Sequence, residues 1–166
     1  MRQDGLTKAR WIALLLPLAL IGGALFSQFV GHLVPCEMCM WQRWPHYAAI
    51  GVAFLAFFVP DRRATWALVA IAALLIAASG VIGVLHAGVE YKWWPGFTPC
   101  TAGFKPGASG MDMIEMIRHA PLVRCDTPQW TLFGISLAGF NAILSITGAI
   151  AIFGFMARGA RRKNPL

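Results

Sequence analysis

The sequence predicts an all-α membrane protein, a four-transmembrane-helix bundle with a short interfacial helix in its second outer loop. Three observations predict it. Of 166 residues, 58% are hydrophobic and only 13% are charged, against about 25% charged in soluble domains. The mean hydropathy is +0.63. The charges cluster, leaving uncharged intervals long enough for the roughly 20 residues that a spanning helix needs. The net charge of +7 therefore reads as membrane topology. A nucleic-acid groove would interleave basic residues with stacking aromatics, and no such patch is present.

The chain reads as one domain, residues 1–166, with spans at about 11–34, 40–60, 64–89 and 128–156. The first run carries no acid or base except His32, and it contains Pro17 and Gly22-Gly23, which membrane helices tolerate. A cleaved secretory signal is the rival reading of this run. Parity argues against it, because three remaining spans would turn one basic flank outward. The second run follows Cys36-Glu37-Met38-Cys39 and holds Arg43 near its start. A guanidinium inside a span is unfavourable by up to about 2.5–3.5 kcal/mol at the bilayer centre, so Arg43 marks a site. Pro45 is expected to kink this helix, since it cannot donate to the Trp41 carbonyl. The third run is interrupted only by His86, one turn before Glu90.

A short outer loop, 35–39, and a long one, 90–127, complete the chain. The long loop contains Trp93-Trp94-Pro95, Cys100, a Gly/Pro-rich bend and Cys125. Within it, 111–119 alternates Met and Ile with Asp112, Glu115 and Arg118, the pattern of an amphipathic helix on a membrane surface. Four spans put both termini and the 61–63 turn on one side. That side holds nine of the fourteen basic residues: Arg2, Lys8, Arg10, Arg62, Arg63, Arg158, Arg161, Arg162 and Lys163. By the positive-inside rule it is cytoplasmic, and all four cysteines then lie outside, where disulfides persist.

Two cysteines spaced as Cys36 and Cys39 suit either a redox pair or half of a zinc site. Three full pairings of the four cysteines are possible, the simplest being Cys36–Cys39 with Cys100–Cys125. A helix starting near Cys36 would favour thiolates through its free N–H groups. Cys39 and Arg43 would then share a face at i and i+4, with about 5–6 Å between Cβ atoms. A Cys100–Cys125 bridge would staple the loop by roughly 3–4 kcal/mol, whereas the small Cys36–Cys39 ring constrains little chain and is better explained by redox exchange. His86 is a candidate for holding a cofactor carbonyl. His32, His46 and His119 are expected to be interfacial and structural, the seven tryptophans mainly to form the membrane belt with Trp41 and Trp44 as candidates to flank a pocket, Glu37 to be solvated, and the methionines near Cys39 to pack. The residue after Cys39 is Met40, not His, which excludes covalent c-type haem attachment.

The order of four spans, Pro35-Cys36-x-x-Cys39 with Arg43 four residues on, His86 closing the third span, and a long loop with Cys100 and Cys125 resembles the DsbB family of disulfide bond formation proteins. The resemblance covers nearly the whole chain. It implies a quinone-dependent protein dithiol oxidoreductase in the bacterial inner membrane, with both termini cytoplasmic. Its partners would be a periplasmic DsbA-like thioredoxin-fold protein and a membrane quinone, ubiquinone or menaquinone, with no metal. Cys100 would form the mixed disulfide with the reduced partner and Cys125 would resolve it. Cys36 would receive the attack from the loop pair, Cys39 would face the quinone as a thiolate, and Arg43 would hold the quinone. His86 fits a quinone-side role more loosely. The alternative is a non-catalytic four-span protein with structural disulfides.

Overall fold

The computed structural model describes residues 5–96, 98 and 123–161, with side chains through Arg158. Four helices make up most of it: α1 (Gly5–Phe29), α2 (Glu37–Leu55), α3 (Arg62–Glu90) and α4 (Leu137–Arg161). A two-stranded antiparallel ribbon precedes α4, with β1 (Thr131–Leu132) paired to β2 (Ile135–Ser136). The helix α3 packs chiefly against α4 and α2, and α1 closes the bundle against α4 and α2.

Three helices, α1, α3 and α4, are long and apolar enough to cross a membrane. The expected second span is the exception. At 19 residues, α2 extends roughly 28 Å at 1.5 Å per residue, close to the hydrocarbon thickness of about 30 Å. Its composition carries Glu37, Gln42, Arg43 and His46. The last three are turned inward and buried, so the polarity that lowers its apolar character is spent on the bundle interior.

The helix ends differ from the expected bounds for local reasons. The first helix starts before Trp11 and stops at Phe29, and His32 beyond it takes a left-handed φ of 54°. The fourth begins at Leu137 rather than near Pro128, because Phe133 and Gly134 both adopt positive φ, 52° and 77°. Positive φ at both central residues is what a two-residue type I′ turn requires. Ser136 then caps α4, its Oγ accepting from Gly139 N–H at 3.1 Å, as N-cap serines do. The all-helical expectation thus gains a small ribbon. The expected interfacial helix at 111–119 lies outside the described residues.

The core is built from small side chains. Ala9, Ala13, Ala49, Ala53, Ala72, Ala73 and Ala149 are buried, while Leu15, Phe26, Leu74 and Ile150 face outward. This inversion suits a lipid environment, where small residues let helix backbones approach. The backbones of α3 and α4 approach closely: a Cβ on Gly83 would stand 3.0 Å from both the Ala138 oxygen and the Ala142 nitrogen. Nothing lies within 4 Å of a Cβ on Gly22. Gly83→Val is expected to destabilise the bundle by about 1–3 kcal/mol through overpacking, and Gly22→Ala to leave it unchanged or slightly stabilised. Thermal unfolding in detergent micelles checks both.

Candidate functional site

The first turn of α2 is built on sulfur. Cys36 is the N-cap, and its Sγ accepts from the Cys39 N–H at 3.2 Å. The two sulfurs are 2.7 Å apart as free thiols. Cys36 is buried and Cys39 is partly exposed. The hydrogen bond with Cys39, together with burial, pushes the Cys36 thiol well above its ordinary range.

The outer loop is laid over this turn by a short series of contacts. Tyr91 caps α3, and Lys92 follows it with a φ of 60°. Trp93 N–H reaches Gly88 O at 2.8 Å and Lys92 N–H reaches Val89 O at 3.2 Å, the paired bonds of a Schellman ending. Lys92 Nζ then bonds both the main-chain oxygen (2.6 Å) and Oδ2 (2.8 Å) of Asp126. Arg124 grips the same carboxylate from the other side through Nε and Nη2. Between them sits Cys125, which is disulfide-bonded and fully buried. It forms one buried cluster with Cys36 and Met38. Cys100 lies outside the described residues. Gln129 ties the loop further to the first outer loop by donating to Val34 O at 2.7 Å, and Tyr91 Oη fastens the ribbon by donating to Gly134 O and accepting from Ser136 N–H.

Below the sulfurs runs a chain of side-chain hydrogen bonds joining α2, α3 and α4. Gln42 Nε2 lies 2.8 Å from His86 Nδ1 and also donates to Met38 O at 3.2 Å. Gln42 Oε1 accepts from Asn141 Nδ2 at 2.8 Å, and Asn141 Nδ2 donates to Ser79 O at 3.2 Å. Asn141 Oδ1 lies 2.9 Å from His46 Nε2. Carbonyl oxygens only accept, so Met38 O and Ser79 O fix the orientation of both amides. The histidine tautomers follow. His86 Nδ1 must accept, which places its proton on Nε2, and His46 Nε2 must donate, which leaves its Nδ1 bare.

His86 Nε2–H enters the space between the two cysteine regions. It lies 3.6 Å from Cys36 Sγ and 3.7 Å from Glu90 Oε1, and the ring is hydrogen-bonded to the Cys125 backbone. Ligand atoms of Cys36, Cys39 and His86 fall within 4.8 Å of one another. The tautomer set by Gln42 keeps a proton on the nitrogen that a metal would need.

Arg43 is placed by α1 rather than by the sulfurs. Its Nη1 donates to Gln28 Oε1 at 2.6 Å and its Nη2 to Ala24 O at 3.3 Å. The expected shared face with Cys39 is realised in a different form: both line a largely apolar cavity of about 250 Å³ between α1, α2 and α4, together with Gln42, His46 and Asn141. A smaller recess of about 50 Å³ lies on the outer side, where Cys36, Cys39, His86 and Glu90 meet.

Several expectations need revision. His46 is not interfacial but buried at 2% exposure within the polar chain. Trp41 and Trp44 point outward, 40% and 63% exposed, and line neither of these spaces. Glu37 is exposed as expected, and Met38 packs in the sulfur cluster. The helix continues through Pro45. His32 is exposed, and His119 lies outside the described residues. Sequence reasoning missed Gln42, Ser79 and Asn141, whereas the one-turn spacing of His86 and Glu90 is met by an Nε2–Oε1 distance of 3.7 Å. The available signal was the stripe Met38, Gln42, His46, Ala49, Ala53, spaced by four and three residues on one helix face.

The fold and site define a multi-pass membrane protein that holds a free dithiol beside a disulfide-bonded cysteine. Residues 7–155 match the family described as disulfide bond formation protein DsbB, and the chain belongs to that family. It is 31% identical over 150 residues to disulfide bond formation protein B 1 of Burkholderia lata, covering 87% of this chain and 85% of the relative. Disulfide bond formation protein B of Burkholderia ambifaria gives the same identity and coverage. The protein of that name from Verminephrobacter eiseniae is 29% identical over 154 residues, covering 86% and 81%. No solved structure matches the chain.

The Asp126 clamp has a testable pH signature. The bonds from Arg124 and Lys92 hold the Asp126 carboxyl well below the usual carboxylate range. A depressed folded value means the clamp is fully present above about pH 4 and is lost only as pH falls through that lower value. Asp126→Asn should speed reduction of the Cys125 disulfide by a water-soluble reductant about two- to fivefold, the scale of an exposed ion pair. The ratio of variant to wild-type rate should be constant from pH 5 to 8 and approach one in strong acid.

Proposed function

We propose that the protein is a quinone-linked thiol oxidoreductase of the bacterial inner membrane that reoxidises a periplasmic DsbA-like dithiol protein. The observation that carries this reading is the burial of Cys125 against Cys36 in one cluster, with Cys39 and Arg43 lining an apolar cavity on the membrane side. In this reading α2 is the second of four spans, both termini are cytoplasmic, and the cysteines face the periplasm. Names in the family point to disulfide formation. The partner and the acceptor are inferred from the geometry and from the resemblance.

The cavity fits a quinone by the chemistry of its lining. It is mostly apolar, as an isoprenoid-bearing ring requires, and it converges on few polar groups, the usual make-up of a small-molecule site. Arg43 contributes a fixed positive charge and planar donors, the match for a carbonyl oxygen that gains negative charge. A quinone supplies a two-electron, two-proton sink when bound, becoming a hydroquinone.

The residues divide the work. The partner's first thiolate attacks Cys100 and Cys125 leaves as a thiolate; the partner's second thiol then displaces Cys100, so the partner departs as a disulfide and the loop pair is left reduced. The loop pair then reduces Cys36–Cys39: one loop sulfur attacks Cys36, which adjoins Cys125, and Cys39 leaves as a thiolate; the second loop sulfur then closes the Cys100–Cys125 disulfide and releases Cys36, which takes up a proton. His86 Nε2–H, 3.6 Å away, is placed to donate to Cys36 as it leaves. Cys39, in the first turn of α2 and lining the cavity, gives up the electrons. Re-forming the Cys36–Cys39 bond releases two electrons and two protons to the acceptor, so the overall reaction converts partner dithiol and quinone to partner disulfide and hydroquinone.

The test mixes purified protein, reduced DsbA-like partner and a short-chain benzoquinone, and follows quinone absorbance. One quinone should be consumed per partner disulfide formed. Arg43→Ala should lower quinone reduction about 10- to 100-fold, the effect of losing a charge-assisted donor worth about 1.5–3 kcal/mol, while Arg62→Ala changes it less than twofold. Exchange between the loop pair and the partner, read on acid-trapped gels, should survive Arg43→Ala. Equal, mild effects of the two substitutions would refute the role given to Arg43. Failure of either disulfide to exchange with the partner would favour the purely structural reading.

A further inference from the structure

The proposed chemistry leaves His46 without a role, and the hydrogen bonds around it supply one. His46 is 2% exposed and lines the cavity shared with Arg43. Its Nε2–H is committed to Asn141 Oδ1 at 2.9 Å, with Ser145 Oγ 3.4 Å away. The orientation of Asn141 is fixed by its donation to Ser79 O. The ring proton is therefore held on Nε2, and Nδ1 keeps a bare lone pair. That nitrogen is buried and has no partner among the described residues. A buried acceptor without a donor is unfavourable and uncommon, and it is satisfied by a ligand that brings a donor.

The two states of a quinone differ in this respect. The oxidised form offers only acceptor oxygens, whereas the hydroquinone carries two hydroxyls, each able to donate. Arg43 is a donor and suits an oxygen in either state. His46 Nδ1 is an acceptor and suits the reduced state alone. The residues stand at i and i+3 on α2, with about 5–6 Å between Cβ atoms, and both line the same cavity.

We propose that His46 accepts the hydroxyl hydrogen of the reduced quinone, so that the cavity binds hydroquinone more tightly than quinone at that oxygen. This rests on the quinone reading above. The Cys36–Cys39 dithiol loses two electrons and two protons as its S–S bond forms, and the quinone gains them as two O–H bonds. His46 is neither oxidised nor consumed; it receives a hydrogen bond from one of the new hydroxyls and draws the equilibrium toward reduction. Asn141 is the positioning residue, since it decides which ring nitrogen carries the proton.

The test uses the full-length protein in detergent with a short-chain benzoquinone as acceptor. Inhibition by the corresponding hydroquinone is compared with inhibition by its dimethyl ether, which keeps the ring and has no O–H. Wild type should be inhibited by the hydroquinone at concentrations about fivefold or more below those of the ether, the effect of one hydrogen bond. His46→Phe should erase that difference. His46→Gln, which can still donate to Asn141 and presents a carbonyl oxygen, should restore most of it. Equal inhibition of wild type by the two compounds overturns the inference, whether or not His46→Phe folds. If wild type reduces quinone but shows no such preference, only the role of His46 falls; if wild type reduces no quinone, the quinone reading falls and the inference with it.

Discussion

The hydrogen bond from Gln42 Nε2 to His86 Nδ1, 2.8 Å long between α2 and α3, is the contact on which the remainder of the site depends. In an apolar bundle a buried amide has no water to fall back on, so each end must find protein. Gln42 does so by joining Met38 O, His86 and Asn141 at once, and Asn141 extends the chain to Ser79 and His46. Individual bonds of this kind contribute about 0.6 kcal/mol on average in membrane proteins, with a maximum near 1.7. Their larger effect is on direction. A slip of α2 by one residue would turn Gln42 away from α3 and leave several polar groups unpaired together. The chain thereby fixes helix register, and with it the height of Cys36 and Cys39 relative to the outer loop.

Small side chains make that register reachable. Ala49, Ala53, Ala72 and Ala73 let α2 and α3 meet closely on the inner side of the polar chain, and Gly80 and Gly83 do the same for α3 and α4. Arg43 is accommodated differently. A guanidinium at the bilayer centre is unfavourable by about 2.5–3.5 kcal/mol, but Arg43 lies only two turns from the α2 N-terminus and spends its donors on Gln28 and Ala24 O of α1. Charge-assisted bonds of about 1.5–3 kcal/mol offset most of that penalty. The anchoring also holds α1 beside α2 where the cavity opens, so the charge that suits an acceptor also shapes its walls.

How much of this was legible in the sequence follows from what each signal averages over. The apolar runs of α1, α3 and α4 are long enough that hydropathy alone finds them. α2 is harder, because its inward polar residues lower the mean that the method relies on; the signal is positional, in the stripe from Met38 to Ala53. Arg43 and the Cys36/Cys39 spacing stood out because each is improbable at a membrane surface without a purpose. Gln42, Ser79 and Asn141 are single polar residues inside apolar spans, and their meaning is a matter of facing one another across helices, which no one-dimensional pattern encodes. His46 was read as interfacial because a lone histidine near the start of a span carries no sign of the amide that faces it from another helix. The ribbon before α4 was read as span because Trp130, Leu132, Phe133 and Ile135 are apolar and Phe133-Gly134 lacks the usual Asn-Gly turn signal.

The two cysteine regions are held by forces of different kinds, and that difference has a consequence for the proposed transfer. Cys36 and Cys39 are fixed by helix capping, close alanine packing and the buried polar chain, all of which resist exchange with water. Cys125 is held above them by the Lys92–Asp126–Arg124 clamp and the Gln129–Val34 bond, which are exposed and individually weak. A periplasmic partner approaching the loop can therefore displace the outer tier at small cost without disturbing helix register below. His86 spans the boundary, bonded to Gln42 beneath and to the Cys125 backbone above. In the proposed reaction, a partner that displaced Cys125 from His86 would leave the Nε2–H to Cys36 and Glu90, changing the hydrogen bonding of the sulfur that is proposed to receive the attack.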